Sequence, residues 1–355
     1  MKNFFGKRLL KNKGAVAGMV IITFSVIIAL FAYSIASDNT PNANRMIPEI
    51  GSKKPGFSIQ FLQIKKNNPA ARESFLEKSI NGIQDSLTYV PITNYTIKGG
   101  SIIYNKYVDD NIVERKATAL QNVSNPIVIT KKFYLGTDKF GRDILSRLII
   151  GTRVSLSVGL IAVIISITLG IFLGALAGYF KSWVDDTIMW LINVLWSIPT
   201  LLLVFAITLV LGKGFWQVFI AVGLTMWVNV ARLVRGQVMQ VKTLEFIEAT
   251  HALGYSNARI IIKHILPNIL GPVMVIAASN FASAIVIEAG LSFLGIGVQP
   301  PQPSWGLMIK ENYNFIITNN PMLALTPGIA IMLLVLAFNL LGNGLRDALN
   351  VKSKL

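Results

Sequence analysis

Both histidines of this chain, His251 and His264, fall in one polar stretch, LEFIEATHALGYSNARIIIKHILPN, which runs from Leu244 to Asn268. Glu245, Glu248, Arg259 and Lys263 share it, in a chain that is otherwise 53% apolar. Charges at this density cannot lie in a bilayer, so the stretch is expected to act in water, by gripping another protein or simply by joining two spans. No catalytic, cofactor-binding or metal-binding residues are assigned to it. The chain has no cysteine, which excludes disulfides and thiolate metal sites. A nucleotide-binding G-x-x-x-x-G-K-[ST] loop is also missing: GKGF at Gly212 to Phe215 lacks the leading glycine spacing and the hydroxyl residue that phosphate and Mg²⁺ need. ATP hydrolysis by this chain is therefore not expected.

The elements around the stretch are set by where charge is absent. Charged residues make up 14% of the 355 residues, against about 25% in soluble domains. None occurs between Lys13 and Asp38, Arg153 and Lys181, Asp186 and Lys213, Lys213 and Arg232, Lys263 and Glu288, or Glu311 and Arg346. A bilayer core takes ~20 apolar residues of helix, and its backbone must satisfy itself. Six transmembrane helices are the expectation, in an all-α polytopic membrane protein. The first gap is too long for the apolar region of a cleaved signal peptide and is read as a retained anchor. The net charge of +16 suits membrane topology better than nucleic acid. Lys2, Lys7, Arg8, Lys11 and Lys13 have no acidic neighbour, which places the N-terminus in the cytoplasm. Six spans then put Arg232 to Pro267 and the tail from Arg346 to Leu355 on that same side, and both are net basic.

With that frame, the polar stretch reads as two short helices. Val241, Leu244, Ile247 and Leu253 supply apolar positions, and Gly254 suits the residue after a helix end, where φ is positive. Ser256 can cap a second helix, and Pro267 marks the start of span five. A helix–turn–helix braced against a span can be pushed from below and move that span. A plain solvated connection is the other reading of the spacing.

The large polar segment lies between spans one and two, at about residues 38–134. Phe57, Ile59 and Phe61 alternate as in a strand, and SIIYNKYV and PIVIT suggest two more. Between them a helix is expected, with Pro69 at its start and Leu76, Ile80, Ile83 and Leu87 on one face. The sum is a small α+β extracytoplasmic insert without clustered chemistry. Within the spans, Gly170, Gly174 and Gly178 form a small-xxx-small stripe for close helix packing. Asn193, Asn280 and Asn339 either bond between helices or line a pathway. Glu288, near the outer end of span five, belongs either to the path or outer gate, or to an ion pair with Arg142, Arg147 or Arg153.

The motifs resemble a specific family. Glu248-Ala249, then Gly254, then Ile265-Leu266-Pro267 is similar to the EAA loop of permease subunits of ATP-binding-cassette importers, with Thr250 in place of the second alanine. LGTDKFGRDILSRLIIGTRVSL, LGALAGYFKSWVDD, SIPTLLL, EAGLSFLGIGVQPPQPSWGLMI and GNGLRDALN resemble the C-type subunit of the dipeptide/oligopeptide/nickel branch. Asn343 stands where that branch commonly has an acid. The resemblance implies the type I importer permease fold, with residues 1–37 as N-terminus and first span, 135–355 as permease core, and a coupling loop at about 240–267. It further implies that Glu248, Ala249, Thr250, Gly254, Ile265 and Pro267 serve ATPase coupling. The implied partners are a B-type permease, two ATPase subunits and an extracytoplasmic substrate-binding protein, with ATP and Mg²⁺ bound only by the ATPases. The expected function is ATP-driven import of short peptides across the bacterial inner membrane. Import of nickel or another small solute is the alternative within the branch. A secondary transporter or channel, or an anchored receptor, is less economical, since the spans show no second copy.

Overall fold

The computed structural model describes residues 2–66, 74–212, 214–317 and 320–349. Apart from one turn at Ala32–Ile35 and short 3-10 turns, its helices begin with α1 (Lys2–Lys11), α2 (Lys13–Leu30), α3 (Phe75–Asn81), α4 (Ile144–Phe180), α5 (Ser182–Trp196), α6 (Thr200–Leu211) and α7 (Phe215–Lys242). There follow α8 (Glu245–Ala252), α9 (Asn257–Ile260), a π-helical turn at Ile261–Ile265, α10 (Leu266–Leu294), α11 (Trp305–Asn312) and α12 (Met322–Leu349).

Five stretches are long and apolar enough to cross a membrane: α2, α4, α7, the continuous run from Asn257 to Leu294, and α12. The third uncharged gap does not give a straight span. It holds α5 and α6, bent by 93° across a break at residues 197–199. Pro199 explains the break, because it has no N–H to donate and disfavours helical backbone at Ile198. Two other boundaries also differ from expectation. Helix α7 runs on past Arg232 to Lys242, so the polar segment opens inside a helix. Pro267 does not begin a new helix either: the π turn joins α9 to α10 without interruption, and Pro267 sits in the first turn of α10.

The chain divides into two compact units: Met1–Val26 with Ser155–Gln299 and Ala330–Leu355, and Ile27–Val154 with Pro300–Ile329. In the first unit, Ala175 and Tyr179 of α4, Val230, Val234 and Val238 of α7, and Ile269 and Val273 of α10 form one buried cluster. Gly170, Gly174 and Gly178 are what let α4 approach α7 closely. A Cβ on Gly174 would meet Val234 Cβ at 2.9 Å, and one on Gly178 would meet the Arg235 carbonyl oxygen at 2.7 Å.

The second unit contains a five-stranded antiparallel sheet of β1 (Phe57–Lys65), β2 (Leu87–Lys98), β3 (Ser101–Asp109), β4 (Ile112–Ala119) and β5 (Val123–Phe133), in the order β4-β3-β2-β1-β5. Neighbouring residues of a strand face opposite sides, and Phe61 and Leu62 are both fully buried. Phe61 packs with Ile47, Ile50, Tyr107 and Phe133, and Leu62 with Ile92, Ile102, Tyr104 and Val123. Each such burial contributes roughly 1.5–3 kcal/mol, so the sheet is cored on both faces.

Strands β2 and β4 are additions to the expected set. Pro91 speaks against an inner strand, yet it pairs opposite Phe61 in β2, next to a register shift between Ile92 and Asn94. Strand β4 is an exposed edge carrying Glu114, Arg115 and Lys116, a composition that protects an edge from further pairing. The expected helix is shorter than its apolar spacing suggested: α3 ends at Asn81 and Leu87 opens β2. Pro69 lies outside the described residues.

Candidate functional site

The polar stretch folds as a hairpin of α8 and α9. Leu253 N–H donates to the Ala249 carbonyl (3.0 Å), Gly254 N–H to His251 (2.9 Å) and Tyr255 N–H to Thr250 (3.2 Å), which closes the helix end. Gly254 sits at φ +75°, where any side chain is strained although the space beside it is open. Glu245 and Glu248 occupy the first turn of α8, where the helix dipole favours acids.

The hairpin has two faces. Ile247 and Thr250 of α8, Ile260 of α9 and Ile265 of the π turn are buried, and the three isoleucines join the cluster formed by α4, α7 and α10. Glu248, Ala249, Gly254 and Pro267 are exposed, beside Leu244, Phe246 and Leu253, the last 70% exposed. The proposed coupling residues are thus split, two holding the hairpin and four facing outward. Thr250 fits where an alanine was expected because its Oγ1 donates to the Ile247 carbonyl at 2.7 Å, which leaves no polar atom of it orphaned.

Tyr179 is the anchor that sequence reasoning missed. Its hydroxyl donates to Asn257 Oδ1 of α9 at 2.8 Å and lies 3.3 Å from His251 Nε2 of α8, and its ring stacks on His251. Lys242 Nζ donates to the Tyr179 carbonyl at 2.7 Å. His264 stacks on Tyr255, whose ring also carries the Arg259 guanidinium at 4.0 Å. Both histidines are therefore packed on tyrosines of the hairpin and its support. Among the described residues no three His, Asp or Glu side chains cluster as metal ligands would.

A cavity of about 590 Å³ opens between α5, α6, α7, α10 and α12. Its polar lining is Thr200 and Thr225, Asn229, Ser279 and Ser283, Asn280 and Asn339, with Trp196 at its edge and no charged side chain among the described residues that line it. Asn280 also donates from Nδ2 to Ser166 Oγ of α4 at 3.3 Å. Asn193 is not in this lining.

Glu288 does not line the cavity. It is fully buried, and Ser292 Oγ donates to its Oε1 at 2.6 Å while accepting Val298 N–H at 3.0 Å. Glu288 thereby supports the turn that leaves α10. The three arginines near the start of α4 have partners in the second unit. Arg142 pairs with Asp138 (2.6 Å) and Glu311 of α11 (2.8 Å), and Arg147 with the same Glu311 (3.3 Å). Arg153 donates to the carbonyls of Ser79 (3.4 Å) and Ile80 (2.9 Å). Glu311 had served only to bound an uncharged gap, and nothing local in the sequence marks it as the acid shared by two arginines. In the same unit, burial raises the Asp143 carboxyl above its ordinary range against the hydrogen bonds of Ser146. Burial, then the charge of Arg45, lowers the Lys131 amine to about 8.

Comparison with known proteins finds relatives of this sequence among transport proteins. Residues 170–354 match the model of the binding-protein-dependent transport system inner membrane component, and residues 5–52 that of the N-terminal TM domain of oligopeptide transport permease C. The chain is 42% identical over 221 residues to the glutathione transport system permease protein GsiD of Pectobacterium atrosepticum, covering 62% of this chain and 73% of that one. It is 43% identical over 221 residues to the dipeptide transport system permease protein DppC of Alkalihalophilus pseudofirmus, covering 62% and 72%. To the oligopeptide transport system permease protein OppC of Bacillus subtilis it is 37% identical over 235 residues, covering 66% and 76%.

Proposed function

Since the chain belongs to the binding-protein-dependent transport system inner membrane component family, we propose that it is the C-type permease of an ATP-driven importer of short peptides. It is a multi-pass membrane protein of the importer type, and the bent pair α5–α6 supplies the sixth span in a type I permease fold. A B-type permease completes the path, two ATPase subunits bind ATP and Mg²⁺, and an extracytoplasmic binding protein delivers substrate. This chain binds no cofactor and contributes coupling.

One observation carries the reading: the two helices that hold the hairpin also wall the cavity. Helix α7 presents Asn229 to the cavity and ends at Lys242 beside the hairpin. The run from α9 through α10 begins in the hairpin and presents Ser279 and Asn280 to the cavity. From Ile260 to Asn280 is ~30 Å at 1.5 Å per residue. A push on the exposed face of α8 is passed by Ile247, Ile260 and Ile265 into both rods, and so to the cavity wall. Amide and hydroxyl groups there suit the backbone of a peptide. Among the described residues the lining offers no carboxylate or imidazole, the groups that would hold a metal cargo such as nickel firmly.

The reading puts both termini and the hairpin in the cytoplasm and the sheet outside. Single cysteines at Ser79 and Ser256, probed with an impermeant thiol reagent in intact cells or spheroplasts, should label at position 79 alone. Labelling at position 256 would invert the arrangement.

A further inference from the structure

Beside the cavity lies a cation with no acid next to it among the described residues. Arg232 is one turn further along α7 than the cavity-lining Asn229. Its guanidinium stacks over the Trp196 ring at 3.6 Å from the centroid, and its Nη2 donates to Asn193 Oδ1 at 3.0 Å. Trp196 Nε1 in turn donates to Asn229 Oδ1 at 3.1 Å. Trp196 and Asn229 both line the cavity, so one indole separates the guanidinium from it. The Arg232 Nε is buried without a hydrogen-bond partner among the described residues.

The neighbouring arginine shows that this is not how α7 otherwise treats its charges. Arg235 is gripped by both oxygens of Asp185, at 2.5 and 2.6 Å. Among the described residues no carboxylate lies within ion-pairing distance of Arg232. Arg232 is half-buried, and its unpartnered Nε carries a desolvation cost that an anion arriving from the cavity would offset. A guanidinium has a planar fork of donors shaped for a carboxylate, and a stacked indole holds it without using that fork.

We infer that Arg232 is the recognition point for the terminal carboxylate of a peptide moving inward through the cavity. The peptide carboxylate takes the guanidinium from the Trp196 face. Because the described lining is otherwise uncharged, the site reads the one charge that every unmodified peptide carries at its C-terminal end and ignores the side chains. Trp196 then acts as a placeholder that keeps Arg232 covered until an anion arrives. The inference rests on the peptide-importer reading.

The test uses the complete transporter in vesicles, with glycyl-leucine and its C-terminal amide as probes. The binding protein's own preference is common to all variants, so the acid-to-amide uptake ratio of each variant is compared with that of the native complex. In Arg232→Gln the ratio should fall by about 10-fold, the scale of one hydrogen bond to a charged group, with Arg232→Lys in between. In Trp196→Leu, where the competing ring is gone, the ratio should rise. If Arg232→Gln fails to assemble, Arg232→Lys and Trp196→Leu decide. A second readout needs no binding protein. In the detergent-solubilised complex, the emission lost on Trp196→Phe substitution should respond to millimolar glycyl-leucine and not to the amide. Equal ratios in native and variant complexes, or an equal emission response to both probes, would overturn the inference and assign Arg232 to holding α5 against α7. Failure of the native complex to import either peptide would instead remove the peptide reading, and this inference with it.

Discussion

The α8–α9 hairpin and the Phe57–Phe133 sheet both carry many charges, yet they bury their apolar residues in opposite ways. The hairpin has no core of its own. Ile247, Ile260 and Ile265 are completed by Val230, Val234 and Val238 of α7 and by Ile269 and Val273 of α10. The sheet is completed chiefly by itself, with Phe61 and Leu62 each enclosed by residues of its own strands and of the short turns before them. An element that borrows its core from a span cannot move without that span. One that owns its core can be changed with little consequence for transport.

The largest effect should follow from the hairpin. Valine at position 254 must adopt φ near +75°, a genuine outlier for a β-branched residue, and lysine at 248 reverses an exposed charge. Gly254→Val and Glu248→Lys should each abolish transport, and the stimulation of ATP hydrolysis by loaded binding protein, in vesicles where the variant still assembles with its partner permease. Normal transport in both would remove the distinction between the two regions.

Excising the sheet should do much less. Gly56 N–H donates to the Phe133 carbonyl at 2.8 Å, so the two ends already meet and a short Gly/Ser linker can replace Phe57–Phe133. Assembly with the ATPases in detergent should survive, with uptake of the same order as native. Loss of the assembled complex would show that the sheet is structural after all.

The smallest effect on transport, and an effect on the sheet alone, is expected from Lys131→Met. The Lys131 amine is lowered from 10.5 to about 8 by burial and by Arg45. Its protonation at neutral pH therefore opposes folding, and the native sheet should gain stability as pH rises from about 8 toward 10.5. The methionine variant should be more stable at pH 7 by roughly 1–3 kcal/mol and flat across that window. Hydrogen exchange of β5 amides in the full chain, at pH 7 and pH 9, measures both. A native sheet whose protection does not rise with pH would contradict the buried amine.

The difference also explains what the sequence disclosed. Absence of charge marks a span directly, so α2, α4, α7, α10 and α12 were legible, and so was the turn at Gly254, whose φ only glycine accepts easily. Tertiary partners were not legible. Nothing near Tyr179 announces that its hydroxyl will reach Asn257, and nothing near Glu311 announces two arginines. The bend between α5 and α6 was written in Ser197-Ile198-Pro199, but an unbroken run without charge outweighed one proline. In the sheet, Pro91 and the charged β4 hid two strands because pairing partners overrode local preference.

The π turn at Ile261–Ile265 has a consequence of its own. Such a turn is what a helix becomes when it accommodates one residue more than its regular winding needs. The wide turn takes up that residue, so the helix before it keeps its heading and Glu248 faces as it would on a regularly wound run. A descendant chain that lost one codon from the regular winding after the turn would instead swing the hairpin by roughly 100° about the helix axis and present its wrong side.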